Sequence, residues 1–270
     1  MSLERILGSP KAVIGMVHLE PLPGSPRWAG SMEDVARAAI ADARALAGGG
    51  VDAILVENFG DVPFSPGRVD AACVAAMAAV AIEIHRALSL PLGINVLRSD
   101  AHSALAVAAA VGARFIRVNV HTGAVMTDQG ILTSAAHDTL RYRRALGAHI
   151  GGAQIAILAD VQTKHAAPLA SVPIEHEARD CVHRGLADGL IVSGEATGLP
   201  PKTSDLERVR LAVPEAPLLV GSGASPENAA DLLSRADGLI VGTSVKRDGI
   251  VTNRVDPDRV RALVRAAGHR

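Results

Sequence analysis

The chain contains few cysteines and few aromatic residues. Only Cys73 and Cys181 occur among its 270 residues, and aromatic side chains make up 2% of the total. Both cysteines fall inside predicted helices, and neither has a partner at the spacing of a metal site. The sequence therefore predicts two buried, reduced thiols and excludes a disulfide framework.

The chain also lacks an excess of charge of either sign. Its 27 basic and 28 acidic residues give a formal net charge of −1. A nucleic-acid-binding domain usually carries a basic face or a basic arm interleaved with aromatics, and neither is present. We therefore expect no nucleic-acid partner.

Long hydrophobic runs are missing as well. The longest apolar stretch covers residues 71–82 and ends at Glu83, which is short of the roughly 20 residues that cross a bilayer. Residues 1–5 contain no hydrophobic segment typical of a secretory signal. We expect a cytoplasmic protein without a transmembrane segment, while peripheral association with a membrane stays open.

What the sequence does contain is an alternation of short β-branched runs with longer Ala- and Leu-rich helical stretches. About eight runs are candidate strands, the number that a closed β/α barrel requires. They are Val13–His18, Ala53–Glu57, Leu92–Leu97, Phe115–Val120, Ile155–Asp160, Gly189–Ser193, Leu218–Gly221 and Gly238–Gly242. No linker divides the chain, so we predict a single α/β domain over residues 1–270, a (β/α)8 TIM barrel.

The predicted connections differ strongly in length. Segments that lead into strands are short, whereas those that leave strands are long and polar, as in residues 19–30, 58–69 and 121–136. Long loops cluster on the side that carries a site, which in this fold is the carboxyl end of the strands. Residues 21–26 and 59–67 are either ligand-contacting loops or rigid surface turns.

Runs of small residues follow the last three predicted strands. Backbone N–H groups in such runs are accessible to a phosphate, and a helix that starts there adds its positive dipole end. The alternative is that the runs are only tight strand-to-helix turns. The predicted phosphate-binding residues are Ser193, Gly194, Gly221, Ser222, Gly223, Gly242, Thr243 and Ser244, with Lys246 as a possible source of charge.

Polar side chains recur at the carboxyl ends of the earlier strands. Alternation along the fourth strand directs Arg117 and Asn119 into the barrel and Ile116 and Val118 toward the helices. The same parity directs His18, Glu57, Asn95 and Asp160 inward. These residues either form the reacting part of a site or make a structural ion pair between Arg117 and Glu57 or Asp160.

The loop after the fifth strand has the most reactive composition. Asp160 could serve as a general base or a metal ligand, and Lys164 could stabilise an oxyanion, donate a proton, form a Schiff base or remain a solvated loop residue. A Schiff base needs a desolvated lysine, whereas Lys164 lies beyond the strand end. The candidate catalytic residues are Glu57, Asn95, Arg117, Asn119, Asp160 and Lys164.

No resident cofactor is predicted. His18, Glu57, Asp160 and His165 could meet above the barrel, so a divalent ion such as Mg²⁺ or Zn²⁺ remains open. Paired cysteines and a His-Glu-x-x-His motif are absent from the sequence, so we assign no metal ligands.

Several longer runs resemble one known family. The chain is similar to the BtpA/SgcQ family in residues 14–19, 21–26, 57–64, 93–98, 115–119, 127–130, 159–161, 164–165 and 241–244. The resemblance implies a barrel of the ribulose-phosphate-binding kind. One class of members is linked to the biogenesis or stability of photosystem I at the membrane, and others carry only a general assignment as enzymes.

Two functions are therefore expected. The first is an enzyme of the isomerase or lyase type that acts on a small phosphorylated metabolite and forms a homo-oligomer. The second is a non-catalytic assembly factor that retains the barrel. The fold alone does not separate them.

Overall fold

The computed structural model describes residues 2–147, 149–150, 153–194 and 196–268, and its centre is a closed barrel of eight parallel strands. The barrel strands are β1 (Ala12–His18), β2 (Ala53–Glu57), β3 (Leu92–Asn95), β4 (Phe115–Val118), β5 (Ala156–Val161), β6 (Gly189–Val192), β7 (Leu218–Val220) and β8 (Gly238–Val241). They neighbour one another in chain order, and β8 closes on β1. The predicted TIM-barrel fold is confirmed, although β3 and β4 end two residues earlier than their sequence patterns suggested.

Helices surround the barrel, and one follows each strand. They are α1 (Leu3–Leu7), α2 (Met32–Gly48), α3 (Ala71–Ala87), α4 (Ala101–Val111), α5 (Ala136–Ala145), α6 (Ile174–Arg179, continued by a π-helix at Asp180–Arg184), α7 (Thr203–Ala212), α8 (Ala229–Arg235) and α9 (Pro257–Ala266). Side-chain hydrogen bonds cap the N-termini of several helices. The Ser31 hydroxyl accepts from the Asp34 N–H at 3.2 Å, and the Asp70 carboxylate accepts from the Ala72 N–H at 2.8 Å.

The core has two layers, as strand alternation requires. One set of strand side chains fills the barrel, among them Ile14, Leu55, Phe115 and Leu158, and α1 closes its lower end. The opposite set packs against the helices. Gly93 has no side chain where a Cβ would lie 2.2 Å from the Phe115 ring, so this glycine makes room for the largest residue inside the barrel.

A small antiparallel sheet lies outside the barrel and is called the covering sheet here. It consists of Ala124–Thr127, Gly130–Thr133 and Ala166–Pro168, with the first of these in the middle. A short pairing also joins His149–Ile150 to Ala153–Gln154. Within the described ranges, no helix is long and apolar enough to cross a membrane. Cys73 and Cys181 are both free and buried.

Candidate functional site

A cavity of about 560 Å³ opens at the carboxyl ends of the barrel strands. Residues from every strand or from the loop after it line this cavity, which is the face that the loop lengths predicted. Phe59, Val62 and Phe64 from the loop after β2 contribute to its wall, whereas residues 21–26 after β1 do not line it. Loops after several strands therefore contribute to one cavity.

A buried ion pair lies directly beneath the cavity. The Arg117 Nε and Nη2 atoms donate to the two Asp160 carboxylate oxygens at 2.9 and 3.0 Å. Asn119 Nδ2 and Thr163 Oγ1 also donate to Asp160 Oδ2, at 2.8 and 3.2 Å. Of the two ion pairs that the sequence allowed for Arg117, the one with Asp160 forms. The pair fixes the guanidinium, which lines the cavity, from below.

A second polar group comes from β1, β2 and β3. Asn95 Nδ2 donates to Glu57 Oε2, and His18 Nε2 lies 3.8 Å from Glu57 Oε1. The His18 ring also stacks on Phe59 with a centroid distance of 4.5 Å. These contacts bring together three of the inward-facing residues that strand parity indicated.

Burial shifts both titratable members of this group toward their neutral forms. It raises the pKa of the Glu57 carboxyl, even though the charges of Arg117 and Lys164 oppose that shift. It lowers the pKa of His18 to about 3, and the positive charges of Lys246 and Lys164 add to the decrease. His18 is therefore a neutral imidazole at physiological pH, and Glu57 holds a proton more readily than an exposed glutamate does.

Lys164 lines the cavity on the side of β5. Its backbone carbonyl accepts a hydrogen bond from the Arg98 guanidinium, while its ammonium has no acceptor among the residues that the structure describes. Burial and the nearby Arg117 charge lower the pKa of Lys164 to about 8. The side chain is half-buried at the wall of the cavity and is therefore less solvated than an exposed loop lysine.

The small-residue runs after β7 and β8 line the opposite side of the cavity. In the described part of the chain, the backbone N–H groups of five residues have no acceptor; these are Ser222, Gly223, Gly242, Thr243 and Ser244. A Cβ on Gly221 would lie 2.5 Å from Ser193 Oγ, and Gly223 has a φ of +73° with a Cβ position 2.0 Å from Pro200 N. Gly223 therefore requires glycine, because its φ is positive and the close atoms are backbone, whereas a side chain at Gly221 would displace the Ile191 and Ser193 side chains.

The helix dipole contributes less here than the sequence suggested. The run after β7 leads into a turn, and α8 begins only at Ala229. The run after β8 leads into a single 3₁₀ turn at Thr243–Val245. Lys246 does not line the cavity either, because its Nζ donates to Asp42 at 2.8 Å and its side chain is buried. Any anion here would be bound mainly by backbone N–H groups.

The predicted residues divide into those that line the cavity and those that support it. Glu57, Arg117, Asn119, Lys164, Gly221, Ser222, Gly223, Gly242, Thr243 and Ser244 line it. Asn95, Asp160, Ser193 and Gly194 do not; the Gly194 N–H donates to Ser222 Oγ at 3.3 Å. Among the residues that the structure describes, the buried Asn119 Oδ1, Asn95 Oδ1 and Ser193 Oγ atoms have no hydrogen-bond partner.

The four residues considered for a metal do not assemble into a metal-binding group. His165 Nε2 lies 2.9 Å from Thr197 Oγ1, and Asp160 is fully engaged with its four donors. Among the described residues, no group of three or more histidine, cysteine, aspartate or glutamate side chains could hold a metal ion.

Sequence reasoning missed two charged residues of the site. Arg98 is 7% exposed, donates to the Lys164 carbonyl, and lies 3.6 Å from Asp128 of the covering sheet. Extending the alternation of β3 would direct Arg98 toward the helices, but the strand ends at Asn95. Asp128 reaches the cavity only because residues 124–133 fold back over it.

Solved structures with the same fold include an isomerase whose name contains a phosphoribosyl group. N-(5′-phosphoribosyl)anthranilate isomerase from Pyrococcus furiosus superposes with a TM-score of 0.55 at 15% identity, covering 96% of this chain and 98% of the isomerase. KGPDC from Streptococcus mutans gives a TM-score of 0.60 at 11% identity, with the same coverage of 96% and 98%. At these identities the likeness establishes the fold alone.

Sequence relatives are much closer. The chain is 48% identical to the photosystem I biogenesis protein BtpA of Synechocystis sp., covering 98% of this chain and 91% of the relative. It is 47% identical to an uncharacterized Thermococcus kodakarensis protein over 95% of both chains, and 33% identical to the sgc-region protein SgcQ of Escherichia coli over 99% and 98%. The model of the BtpA family matches residues 9–269. The chain therefore belongs to the BtpA family.

Proposed function

We propose that this protein is an enzyme of the isomerase or lyase type that acts on a small phosphorylated molecule. One observation carries the proposal: within the described part of the chain, a single cavity has backbone N–H groups without an acceptor on one side and, on the other, a lysine ammonium without an acceptor near a buried carboxyl group. The first side suits a phosphate group, and the second suits proton transfer at a carbon next to a carbonyl.

The phosphate side is formed by the turns after β7 and β8. A phosphate dianion has several strong acceptor oxygens, and converging N–H groups in small-residue turns bind such anions without a charged side chain. The side chains of Thr243 and Ser244 belong to the same wall and can add hydroxyl donors. The unpartnered N–H groups of this wall would gain their missing acceptors when phosphate binds.

The reacting side contains groups that can exchange protons near neutral pH. A raised carboxyl pKa and a lowered ammonium pKa bring Glu57 and Lys164 closer to the pH at which general acid–base catalysis is efficient. Arg117 supplies a fixed positive charge, because Asp160 holds its guanidinium in place. Negative charge that develops on a carbonyl oxygen would be stabilised by this cation.

The test is the thermal stability of the protein in inorganic phosphate. Phosphate at tenfold excess over its Kd should stabilise the fold by about 1.4 kcal/mol, equivalent to a rise in Tm of about 2–4 °C. Ser244→Asp places a carboxylate among the unpaired backbone N–H groups after β7 and β8, and it should abolish the rise in Tm. The matched control, Ser234→Asp, adds the same charge to an exposed position on α8 and should retain it.

Sulfate and chloride at equal ionic strength separate specific binding from a general salt effect. Equal increases in Tm for the wild type, Ser244→Asp and Ser234→Asp would show that phosphate does not bind between β7 and β8. The proposal that the substrate carries a phosphate group would then be contradicted.

A second candidate function is a non-catalytic role in assembly. It is supported by the 48% identity to the photosystem I biogenesis protein and by the exposed Met126 and Ile131 side chains, 46% and 54% exposed, on the covering sheet. Expression of this chain in a Synechocystis strain that lacks its own relative discriminates the two. Restored photosystem I with both the wild type and Lys164→Met would favour assembly over catalysis.

A further inference from the structure

Lys164 is held over the cavity by an unusual loop. It follows β5 by three residues, and the flanking Gln162 and His165 both have positive φ values, +52° and +54°. Residues other than glycine adopt this conformation at a cost, and such strain is concentrated at functional sites. The Arg98 guanidinium fixes the loop further by donating to the Lys164 carbonyl. The loop geometry therefore holds the lysine inside the site.

The carboxylates nearest to Lys164 are engaged by other donors. Asp160 accepts from Arg117, Asn119 and Thr163, and Glu57 accepts from Asn95. Within the described ranges, no atom accepts from the Lys164 ammonium.

A second lysine with little solvent exposure, Lys246, provides a contrast to the half-buried Lys164. Lys246 is 1% exposed, and its ammonium is paired with Asp42 at 2.8 Å. A buried pair of this kind favours the charged form, whereas a desolvated lysine without a partner favours the neutral amine. Of these two lysines, Lys164 is therefore the one suited to act as a nucleophile.

We propose that Lys164 is a catalytic residue whose amine forms a Schiff base with an aldehyde or ketone substrate that also carries a phosphate. This inference rests on the proposed function for the position of the phosphate, and it narrows the substrate class to phosphorylated carbonyl compounds. It assigns Lys164 a covalent role instead of proton transfer alone.

The step balances without an oxidant or a reductant. The neutral Nζ atom attacks the carbonyl carbon, and one proton moves from this nitrogen to the carbonyl oxygen to give a neutral carbinolamine. Loss of that oxygen as water, with a second proton, leaves a protonated C=N bond. Glu57 is the buried acid in the same cavity that can deliver a proton to the departing oxygen.

The protonated C=N bond would then act as an electron sink. Electrons from an adjacent C–C bond, in a lyase, or from an adjacent C–H bond, in an isomerase, move toward the nitrogen and give an enamine. The second fragment leaves as a carbonyl compound in the lyase, and the proton passes to the Glu57 carboxylate in the isomerase. Protonation of the enamine carbon then restores the C=N bond. Hydrolysis releases the product and restores the amine, so each turnover consumes and returns one water.

The ionisation of Lys164 allows this chemistry near neutral pH. With a pKa of about 8, about a quarter of the side chain is free amine at pH 7.5. An ordinary lysine holds roughly two-hundredfold less free amine at that pH.

Reductive trapping tests the proposal, and the composition of the chain simplifies the readout. Lysine occurs only at Lys11, Lys164, Lys202 and Lys246. The wild-type protein is incubated with dihydroxyacetone phosphate or glyceraldehyde 3-phosphate and sodium cyanoborohydride, and adducts are located by peptide mass spectrometry. The unphosphorylated dihydroxyacetone and glyceraldehyde are the matched probes.

The expected result is one adduct, on Lys164, at a level at least about tenfold above that on the partly exposed Lys11. Lys164→Arg and Lys164→Met should remove it, and Lys11→Arg should retain it. Circular dichroism establishes that each variant is folded. The positions of the adducts in the wild-type protein are determined without any variant.

The outcomes separate this inference from the proposed function. If phosphate stabilises the protein but neither sugar phosphate labels Lys164, the Schiff base is overturned while the phosphate site stands. Equal labelling of Lys164 by the phosphorylated and unphosphorylated probes would support the Schiff base. It would contradict the binding of phosphate by the turns after β7 and β8. Labelling spread evenly over the exposed lysines would overturn the inference.

Discussion

At the scale of single residues, Asp160 has the most complete set of contacts in the site. Its two oxygens accept four hydrogen bonds from three side chains, and the residue is 2% exposed. These donors hold the carboxylate in one orientation. Its structural consequence is to orient Arg117, whose guanidinium faces the cavity.

We expect Asp160→Asn to be strongly destabilising. The amide supplies only one acceptor oxygen and leaves the buried Arg117 charge without a counter-ion, which typically costs about 3–5 kcal/mol. Urea denaturation at pH 7.5 measures the change in the free energy of unfolding. The control, Asp34→Asn, alters an exposed ion pair with Arg37 and should change this free energy very little. Similar small losses in both variants would contradict the structural role of Asp160.

Strand parity predicted the direction of these side chains but not which of them pair. A period of two is a local property, so Glu57, Asn95, Arg117 and Asp160 could all be placed inside the barrel from the sequence. Their pairing depends on register between strands. Glu57 of β2 lies opposite Asn95 of β3, and the β4–β5 register pairs Val118 with Ala159, one residue before Asp160. That register follows from barrel closure, which no local pattern contains.

At the scale of elements, the covering sheet is the largest departure from the sequence prediction. Residues 121–136 were expected to be a long polar loop, yet two strands form there around a turn in which the Thr127 hydroxyl accepts from the Gln129 N–H at 3.1 Å. The third strand, Ala166–Pro168, comes from the loop after β5. Short strands of this kind depend on pairing with a distant segment, so sequence periodicity does not reveal them.

The covering sheet is attached to the barrel through Arg98. Asp128 lies at its tip, 3.6 Å from Arg98, and the same guanidinium donates to the Lys164 carbonyl just before the third strand. Asp128→Asn should therefore loosen the sheet without affecting the barrel strands. Because the Asp128 side chain is 70% exposed, the ion pair contributes at most about 1 kcal/mol, and amide exchange in residues 124–133 should accelerate by up to about fivefold.

Hydrogen exchange followed by mass spectrometry measures this acceleration. Asp138→Asn is a suitable control because it removes an exposed carboxylate on the neighbouring α5, outside the covering sheet. Unchanged exchange in residues 124–133 of Asp128→Asn, or equal acceleration in β4, would show that Arg98 does not attach the sheet in solution.

At the scale of the whole molecule, the two ends of the barrel differ in chemistry. The lower end is filled with apolar side chains and closed by α1, whereas the upper end holds several buried titratable groups around the cavity. Burial shifts Glu57, His18 and Lys164 toward their neutral forms. Each group therefore lowers the free energy of unfolding at pH values where it would be charged in the unfolded chain. That cost is measurable as a dependence of global stability on pH.

His18 determines the acid side of this dependence. Its pKa is about 3 in the folded protein and 6.5 in an unfolded chain, so the unfolded state binds the proton first as the pH falls. The stabilising contribution is complete above pH 6.5 and is lost progressively toward pH 3, with a slope of up to about 1.4 kcal/mol per pH unit. Glu57 acts in the opposite direction, because its raised pKa removes stability as the pH rises above 4.5.

We therefore expect His18→Gln to flatten the stability curve between pH 6.5 and 4.5. The glutamine cannot titrate, so the difference in the free energy of unfolding between wild type and variant should change by about 2–3 kcal/mol across that window. Urea denaturation at several pH values measures this difference, and His85→Gln, on the exposed face of α3, should keep the wild-type slope. Parallel curves for the wild type and His18→Gln would mean that the pKa of His18 is the same in the folded and unfolded states. Burial would then leave the ionisation of the ring unchanged, and the imidazole would become a cation inside the cavity as the pH falls below 6.5.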